Sequence, residues 1–225
     1  MQRVLVIGRS PGVILDTVEI LRGRGFQADA TNQFDDVMVE YDTVGLDIVV
    51  FGGMVPAATK QHLRDEISKV NDRVTFVQGL GGIAGLIAAQ VEGAASAAGD
   101  DGAVAYDAAR RSVRLTLAEP ARVVVDAWWG TSFTPPEPAS TSLRVTDAGF
   151  DAGAHVIALP AEVPDVASFV TVSAGAVVRA FTVGAMPEAV TRLVPTGDPA
   201  RPSALPPVRP VSTHSTTTSE RVHRP

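Results

Sequence analysis

The first 95 residues alternate short apolar runs with segments whose apolar residues recur at helical spacing, and this alternation limits the possible folds more than any other feature. The predicted strands cover residues 4–7, 26–30, 47–51 and 74–77. The first and third are almost continuously apolar, as expected for strands that are covered on both faces. Strands separated by helices favour a parallel sheet with right-handed crossovers. We therefore expect a doubly wound α/β domain over residues 1–95.

The starts of the intervening helices are marked by capping residues. Ser10 is suited to the N-cap position and Pro11 to the first turn, where its missing N–H has no intrahelical acceptor. Glycine near position 23 is a typical end for this first helix. Three further helices are predicted after Asn32, around Pro56 and after Gly82.

Residues 103–185 carry a different pattern, with seven short apolar runs separated by turn residues. These runs cover residues 103–107, 112–118, 121–129, 142–147, 154–160, 168–174 and 176–183. In the second run Val113 and Leu115 alternate with Arg114, so one face of the strand is expected to be wet. Seven such strands predict an antiparallel β-sandwich of the immunoglobulin or fibronectin type.

Two segments show no periodicity. Residues 96–102 are small and polar, which predicts a linker between two halves that fold independently. Residues 186–225 are rich in proline, serine and threonine. Ordering such a chain costs about 1–2 kcal/mol per residue, with little burial to offset it. We therefore expect a disordered C-terminal tail.

Composition excludes several classes of chemistry. The chain has no cysteine, and its formal net charge is −6, the opposite of the balance expected for a nucleic-acid binder. No histidine pair has metal-ligand spacing, and no nucleophile-elbow motif occurs. The longest apolar stretch, residues 80–89, is too short to cross a bilayer. These features predict a cytoplasmic protein without a metal, a cofactor, a nucleic-acid partner or a membrane partner.

The candidate site lies where the parallel strands end, because ligands of open α/β sheets gather at the carboxyl ends of the strands. The residues expected there are Gly8, Arg9, Ser10, Gly52, Gly53, Gln78 and Gly79. Glycine lets another backbone or a phosphate come close, and Arg9 is the one formal charge in these loops. The pattern predicts a crevice for a protein partner or a small anionic ligand. The alternative is that these glycines only turn the chain.

Residues 1–91 resemble the receiver domain of bacterial response regulators. The stretch DIVVFGGMVPAATKQHLRDEI, residues 47–67, follows the receiver frame of a strand, the reactive position, Met-x-Pro and a helix. The reactive aspartate is replaced by Gly52, and the hydroxyl residue at the end of the fourth strand by Gln78. The acidic residues that hold Mg²⁺ in receivers are replaced by the Gly8–Ser10 loop. The resemblance therefore implies a signalling or scaffold protein that is not an enzyme and acts by binding.

A nucleotide-binding, Rossmann-like domain related to oxidoreductases is the alternative interpretation. Residues 4–21 read as a strand, a glycine turn and a helix, and Asp29 ends the second strand, where an acidic residue could meet a ribose. Glycines at positions 8 and 12 do not have the spacing of the dinucleotide fingerprint.

The pair Trp128–Trp129 is the most conspicuous aromatic feature. If Val125 and Ala127 face the core, Trp129 follows them inward and Trp128 points outward. An outward tryptophan is a candidate contact for a partner or a sugar. The alternative is that the adjoining residues 131–138 fold over Trp128.

Overall fold

The structure is a computed structural model that describes residues 1–96, 103–132, 137–185 and 207–215. The N-terminal half is built on four parallel strands. They are β1 (Arg3–Ile7), β2 (Gln27–Thr31), β3 (Ile48–Phe51) and β4 (Thr75–Gln78). Their order in the sheet is β2-β1-β3-β4. The predicted α/β half with a parallel sheet is thus confirmed.

Helices cover both faces of this sheet. They are α1 (Pro11–Gly23), α2 (Val37–Glu40), α3 (Ala57–Val70) and α4 (Ala84–Ala95). One core joins α1 and α4 to the strand residues that face them, such as Val4 and Val6. A second core joins α2 and α3 to the alternate strand residues, such as Leu5 and Ile7. Burial on both faces explains why the central strands are apolar at every position after Arg3.

The helix starts agree with the sequence prediction at α1, whose N-cap is Ser10 and whose first turn holds Pro11. The helix predicted after Asn32 forms in two short pieces. A 3₁₀ turn, Phe34–Asp36, leads into the single turn of α2.

The described residues of the second half form seven antiparallel strands in two sheets, and all seven predicted runs form strands. They are β5 (Val104–Asp107), β6 (Ser112–Leu117), β7 (Ala121–Ser132), β8 (Ala139–Phe150), β9 (Gly153–Ala158), β10 (Ser168–Ala174) and β11 (Val177–Val183). The sheets have the orders β5-β6-β9 and β11-β10-β7-β8. Apolar side chains from both sheets form one shared core.

The predicted side-chain alternation is also found. Val113 and Leu115 of β6 are buried between the sheets, whereas Arg114 is exposed. On β7, Trp129 packs against the sandwich core. Trp128 faces the opposite side and belongs to a separate apolar cluster with residues of the N-terminal half.

The two halves meet along α4, which lies against the outer face of the larger sheet. Gly85, Ala89 and Gly93 follow one another at a spacing of four and therefore share one side of the helix. A β-carbon at Gly85 would overlap the indole of Trp128, and one at Gly93 would lie 2.8 Å from the carbonyl oxygen of Val178. The absence of side chains at these positions lets the sheet approach closely. The sequence did not predict this interface.

Part of the C-terminal tail is ordered against the N-terminal sheet. Residues 207–215, here called the C-terminal segment, run antiparallel to β2, with a bridge between Thr31 and Ser212. Val211 is only 7% exposed and belongs to the core beneath α1. The prediction of disorder is therefore wrong for the C-terminal segment, because one valine and the free edge of β2 supply partners that composition does not reveal. The rest of the predicted tail, and linker residues 97–102, lie outside the described residues.

Candidate functional site

The loops after β1 and β3 come together at the carboxyl edge of the parallel sheet. Five of the seven predicted site residues line one small hollow there: Gly8, Arg9, Ser10, Gly52 and Gly53. The hollow has a volume of about 40 Å³. Its other walls are mostly apolar side chains of β1, α1, β3 and α4.

The β1 and β3 loops are in close backbone contact. The amide of Gly52 donates to the carbonyl oxygen of Ile7 at 2.8 Å. A β-carbon at position 52 would lie 3.2 Å from the α-carbon of Gly8. This distance is tighter than ordinary van der Waals contact, so a side chain at position 52 would require the backbone to move. Position 52 itself offers no side-chain nucleophile to this site.

Gln78 and Gly79 lie outside this hollow and brace the neighbouring strand ends. The side-chain amide of Gln78 donates to the carbonyl oxygens of Phe51, at 2.9 Å, and Gly79, at 3.2 Å. Its carbonyl oxygen accepts a hydrogen bond from Lys60 at 3.0 Å. The structure thus gives Gln78 a structural role.

Two cations of α3 that the sequence reasoning missed lie beside Gln78. Burial, reinforced by the nearby charge of Arg64, lowers the pKa of Lys60. The Arg64 guanidinium lies over the rings of Phe51 and Phe76, at 5.4 and 5.7 Å from their centroids. Lys60 and Arg64 are four residues apart on α3, and this spacing indicates in the sequence that the two cations share one side of the helix.

Glu137 and Pro138, the two residues just before β8, lie at the hollow. The Ser10 hydroxyl donates to the Glu137 carboxylate, and the Gly12 amide donates to Glu137 Oε1 at 3.2 Å. Pro138 forms part of the hollow's wall. The start of α1 favours an anion, because backbone N–H groups and the helix dipole point toward it. An acidic group of the same chain therefore occupies the position that the sequence assigned to an anionic ligand or a partner.

Trp128 is half-buried, and it is covered by α4 of the N-terminal half. Its indole N–H donates to the Thr171 hydroxyl at 2.9 Å. The ring borders an interdomain cleft of about 190 Å³, which also contains the ion pair between Arg24 and Glu92. Burial raises the pKa of Glu92, although Arg24 opposes this effect. The aromatic contact predicted for a ligand or partner is made within the chain.

A larger open groove, about 530 Å³, lies on the sandwich. Three of its charged side chains, Arg122, Arg144 and Asp147, pair with one another. Arg122 and Arg144 both contact Asp147, at 2.7 and 2.6 Å, and hold the pKa of that carboxyl below its usual value. These three charges satisfy each other, and Glu119 also lines the groove.

Within the ranges that the structure describes, no group of three or more histidine, aspartate or glutamate side chains could hold a metal ion. The helices in those ranges are all too short or too polar to cross a membrane. Comparison with protein-family models, curated proteins and solved structures gives no significant match.

Proposed function

We propose that the chain is a non-enzymatic signalling or scaffold protein that acts by binding a protein partner. Its N-terminal half is a receiver-like, doubly wound domain that lacks the phospho-accepting aspartate. The order β2-β1-β3-β4 supports this assignment, since it reproduces the first four strands of the flavodoxin-like arrangement.

The proposal rests on the residues of the crevice, which offer no reactive side chain at position 52 and no free hydroxyl at Ser10. Position 52 has no side chain, and its backbone lies against Gly8. The Ser10 hydroxyl is engaged by Glu137. Aspartyl phosphorylation needs a carboxylate nucleophile and acidic residues that place Mg²⁺ beside it. The loop residues at this edge provide neither function.

The second half is proposed to be an immunoglobulin- or fibronectin-like sandwich that presents a binding surface. The fourth strand, β8, pairs with the third strand, β7, in the sheet that also holds β10 and β11. In variable-type immunoglobulin domains, strand C′ likewise joins the sheet that holds strands C, F and G. This pairing supports the proposal that the antiparallel sandwich is immunoglobulin-like.

Nucleotide binding by an oxidoreductase-like domain is the second candidate, favoured by the strand, glycine turn and helix at the start of the chain. A hollow of about 40 Å³ is far smaller than the roughly 300–1,000 Å³ of ordinary small-molecule sites. The start of α1, where a pyrophosphate would bind, holds Glu137. A nucleotide would have to displace the β7–β8 hairpin.

The full chain and its Gly52→Asp variant should be incubated with acetyl phosphate and Mg²⁺, and their intact masses measured. We expect no gain of a phosphoryl group on either protein. A hydroxylamine-sensitive phosphoryl adduct on the wild-type chain would overturn the non-enzymatic proposal. In parallel, saturable thermal stabilisation by a nucleotide or dinucleotide would favour the second candidate instead.

A further inference from the structure

The free edge of β2 binds the C-terminal segment through main-chain hydrogen bonds on both sides of Thr31. The amide of Asn32 donates to the carbonyl of Val211 at 3.0 Å, and the amide of Thr213 donates to the carbonyl of Ala30 at 2.9 Å. The side chain of Asn32 adds two hydrogen bonds. Its NH₂ group donates to the Arg209 carbonyl at 2.7 Å, and its oxygen accepts from the Val211 amide at 2.8 Å. This is the geometry of strand addition, in which an extended peptide extends an exposed sheet edge.

One side chain of the segment supplies an apolar anchor. Val211 is 7% exposed and packs into the core formed by α1, α4 and the sheet. Fully burying a side chain of this size is worth about 1.5–3 kcal/mol. We therefore expect the edge of β2 to bind a segment with an apolar residue at this position more tightly than one with a polar or charged residue.

The hydroxyl of Thr213 is recognised two residues further on. Its oxygen accepts a hydrogen bond from the Ala30 amide at 2.9 Å and donates to Asp29 Oδ1 at 3.2 Å. An apolar side chain at this position would leave the Ala30 amide without that acceptor, and leaving a donor unsatisfied costs more than a typical hydrogen bond contributes.

Ser215 continues the period of two. Its hydroxyl lies 3.0 Å from Asp29 Oδ1 and 3.2 Å from the Ala28 carbonyl oxygen. Arg22 lies within 3.3 Å of the same hydroxyl and also pairs with Asp29 at 2.9 Å. Side chains 211, 213 and 215 of the segment thus all contact the N-terminal half, Val211 through its core and the two hydroxyls through Asp29 and the β2 backbone, as in strand-addition sites that read sequence through alternate side chains.

Tyr41 clamps the segment from the other side of the edge. Its hydroxyl lies 3.2 Å from the carbonyl oxygens of both Ala30 and Thr213. Its ring stacks on His214, with centroids 5.0 Å apart. The β2 edge therefore combines main-chain pairing, an apolar anchor, hydroxyl recognition and an aromatic platform.

We infer that the edge of β2 is a peptide-binding site for an extended partner segment with the pattern Val-x-Thr-x-Ser, and that the C-terminal segment occupies it as an intramolecular competitor. The chemistry of the partner segment follows from the resident one at positions 211, 213 and 215. This site adjoins the carboxyl edge, where the Gly8 amide donates to the Thr31 carbonyl at 3.1 Å, but its residues do not line the hollow. Its test therefore does not depend on whether the crevice is catalytically inert.

The tether determines how the site must be tested. Linking a ligand covalently to its site makes binding intramolecular and raises the effective concentration of the ligand at the site. A free peptide should therefore compete poorly with the native segment. In a full-length Val211→Asp variant the resident segment carries a charge where the apolar anchor belongs, so the edge becomes available to a peptide in trans.

The probe is a fluorescent peptide with the sequence of residues 207–215, followed by anisotropy. We expect the Val211→Asp chain to bind it at least about tenfold more tightly than the wild-type chain, which corresponds to about 1.4 kcal/mol. A full-length Arg209→Asp chain is the matched control, because it places the same new carboxylate at an exposed position of the same segment. That control should bind like the wild type. Probe peptides carrying Val211→Asp or Thr213→Val should bind the Val211→Asp chain at least about tenfold more weakly than the native peptide.

Hydrogen exchange keeps the test informative if peptide affinity is low. In the wild-type chain the Asn32 amide should be protected, in the folded Val211→Asp chain it should exchange faster, and added peptide should slow it again. Equal peptide binding by the wild-type and Val211→Asp chains, with both folded by circular dichroism, would overturn the inference. If the Val211→Asp chain does not fold, a full-length Thr213→Ala chain takes its place under the same criterion. A wild-type dimer that Val211→Asp dissociates would also overturn it, since the resident segment would then come from a second copy.

Discussion

The indole of Trp128 occupies the space where a side chain at Gly85 would lie. Its N–H is held by Thr171 of the neighbouring strand β10, which fixes the ring in the interface. Ala89 and Gly93 continue the same small-residue side of α4. The last helix of the α/β half is therefore shaped to receive the sandwich.

A Gly85→Val substitution should disrupt this contact. Overpacking a close interface costs about 1–3 kcal/mol, so we expect the free energy of unfolding to fall by that amount in urea denaturation. Gly149→Val is the matched control, because no atom lies within 4 Å of a β-carbon at that strand position. Equal effects of the two substitutions would mean that Trp128 does not pack on Gly85 in solution.

The contact between Ser10 and Glu137 should be measurable as a coupling energy. It joins the start of α1 to the β7–β8 hairpin by a hydrogen bond to a charged group, and such bonds contribute about 1.5–3 kcal/mol. A double-mutant cycle of Ser10→Ala and Glu137→Ala should give a coupling above about 0.5 kcal/mol. Glu162→Ala, at an exposed position, supplies the control pair with Ser10→Ala and should show no coupling. Additive losses for Ser10 and Glu137 would place the hairpin away from α1.

The elements of the fold were predictable because their signals are local. Apolar runs such as residues 4–7 and the alternation around Arg114 depend on neighbours in the sequence, and both patterns agree with the structure. The contact of Gly85 with Trp128 joins residues that are far apart in the chain. A single glycine in an apolar helix does not indicate what covers it.

The candidate site was predictable only in part. The rule that ligands gather at the carboxyl ends of parallel strands selected the five residues that line the hollow. Glu137 was missed because it lies in a proline-rich turn of the other half. Val211 was missed because one apolar residue among proline, serine and threonine has no periodicity. Its burial depends on the free edge of β2.

The ionisation of Glu92 should make the interface sensitive to pH. Burial raises its folded-state pKa above the ordinary value of 4.5, so the folded protein binds this proton more tightly than the unfolded chain does. The stability contributed by the protonated form is fully present below pH 4.5 and is lost as the pH rises through the folded-state pKa. The stability of a Glu92→Gln variant relative to wild type should therefore increase from acid to neutral pH. Urea denaturation across that range is the measurement, and a relative stability that falls with pH would contradict the assignment.

Removing the Tyr41 hydroxyl should loosen the C-terminal segment. Tyr41→Phe keeps the ring over His214 but loses the hydrogen bonds to the carbonyls of Ala30 and Thr213. We expect a loss of about 0.5–1.5 kcal/mol in the free energy of unfolding and faster hydrogen exchange at the Asn32 amide. Tyr106→Phe is the control, since the structure shows no hydrogen bond for that hydroxyl among the described residues. If the two variants behave alike, Tyr41 does not hold the segment.

The adjacent tryptophans of β7 should respond differently to truncation. Trp129 is also half-buried, but it packs on the sandwich core beside fully buried Val125, so Trp129→Ala should lower the free energy of unfolding by about 3 kcal/mol, the lower end of the range for core tryptophans. Trp128 is half-buried against α4, and Trp128→Ala should cost less, about 1.5–3 kcal/mol.

Hydrogen exchange separates the two mechanisms, because Trp128→Ala should accelerate exchange in α4, whereas Trp129→Ala should accelerate it first in the strands of the sandwich. A Trp128→Phe variant loses both the bond to Thr171 and the outer indole atoms that approach Gly85, but it keeps an aromatic ring in the interface, so it should fall between wild type and Trp128→Ala. A larger loss for Trp128→Ala than for Trp129→Ala would show that the interface along α4, and not the core between the two sheets, dominates the stability of the second half.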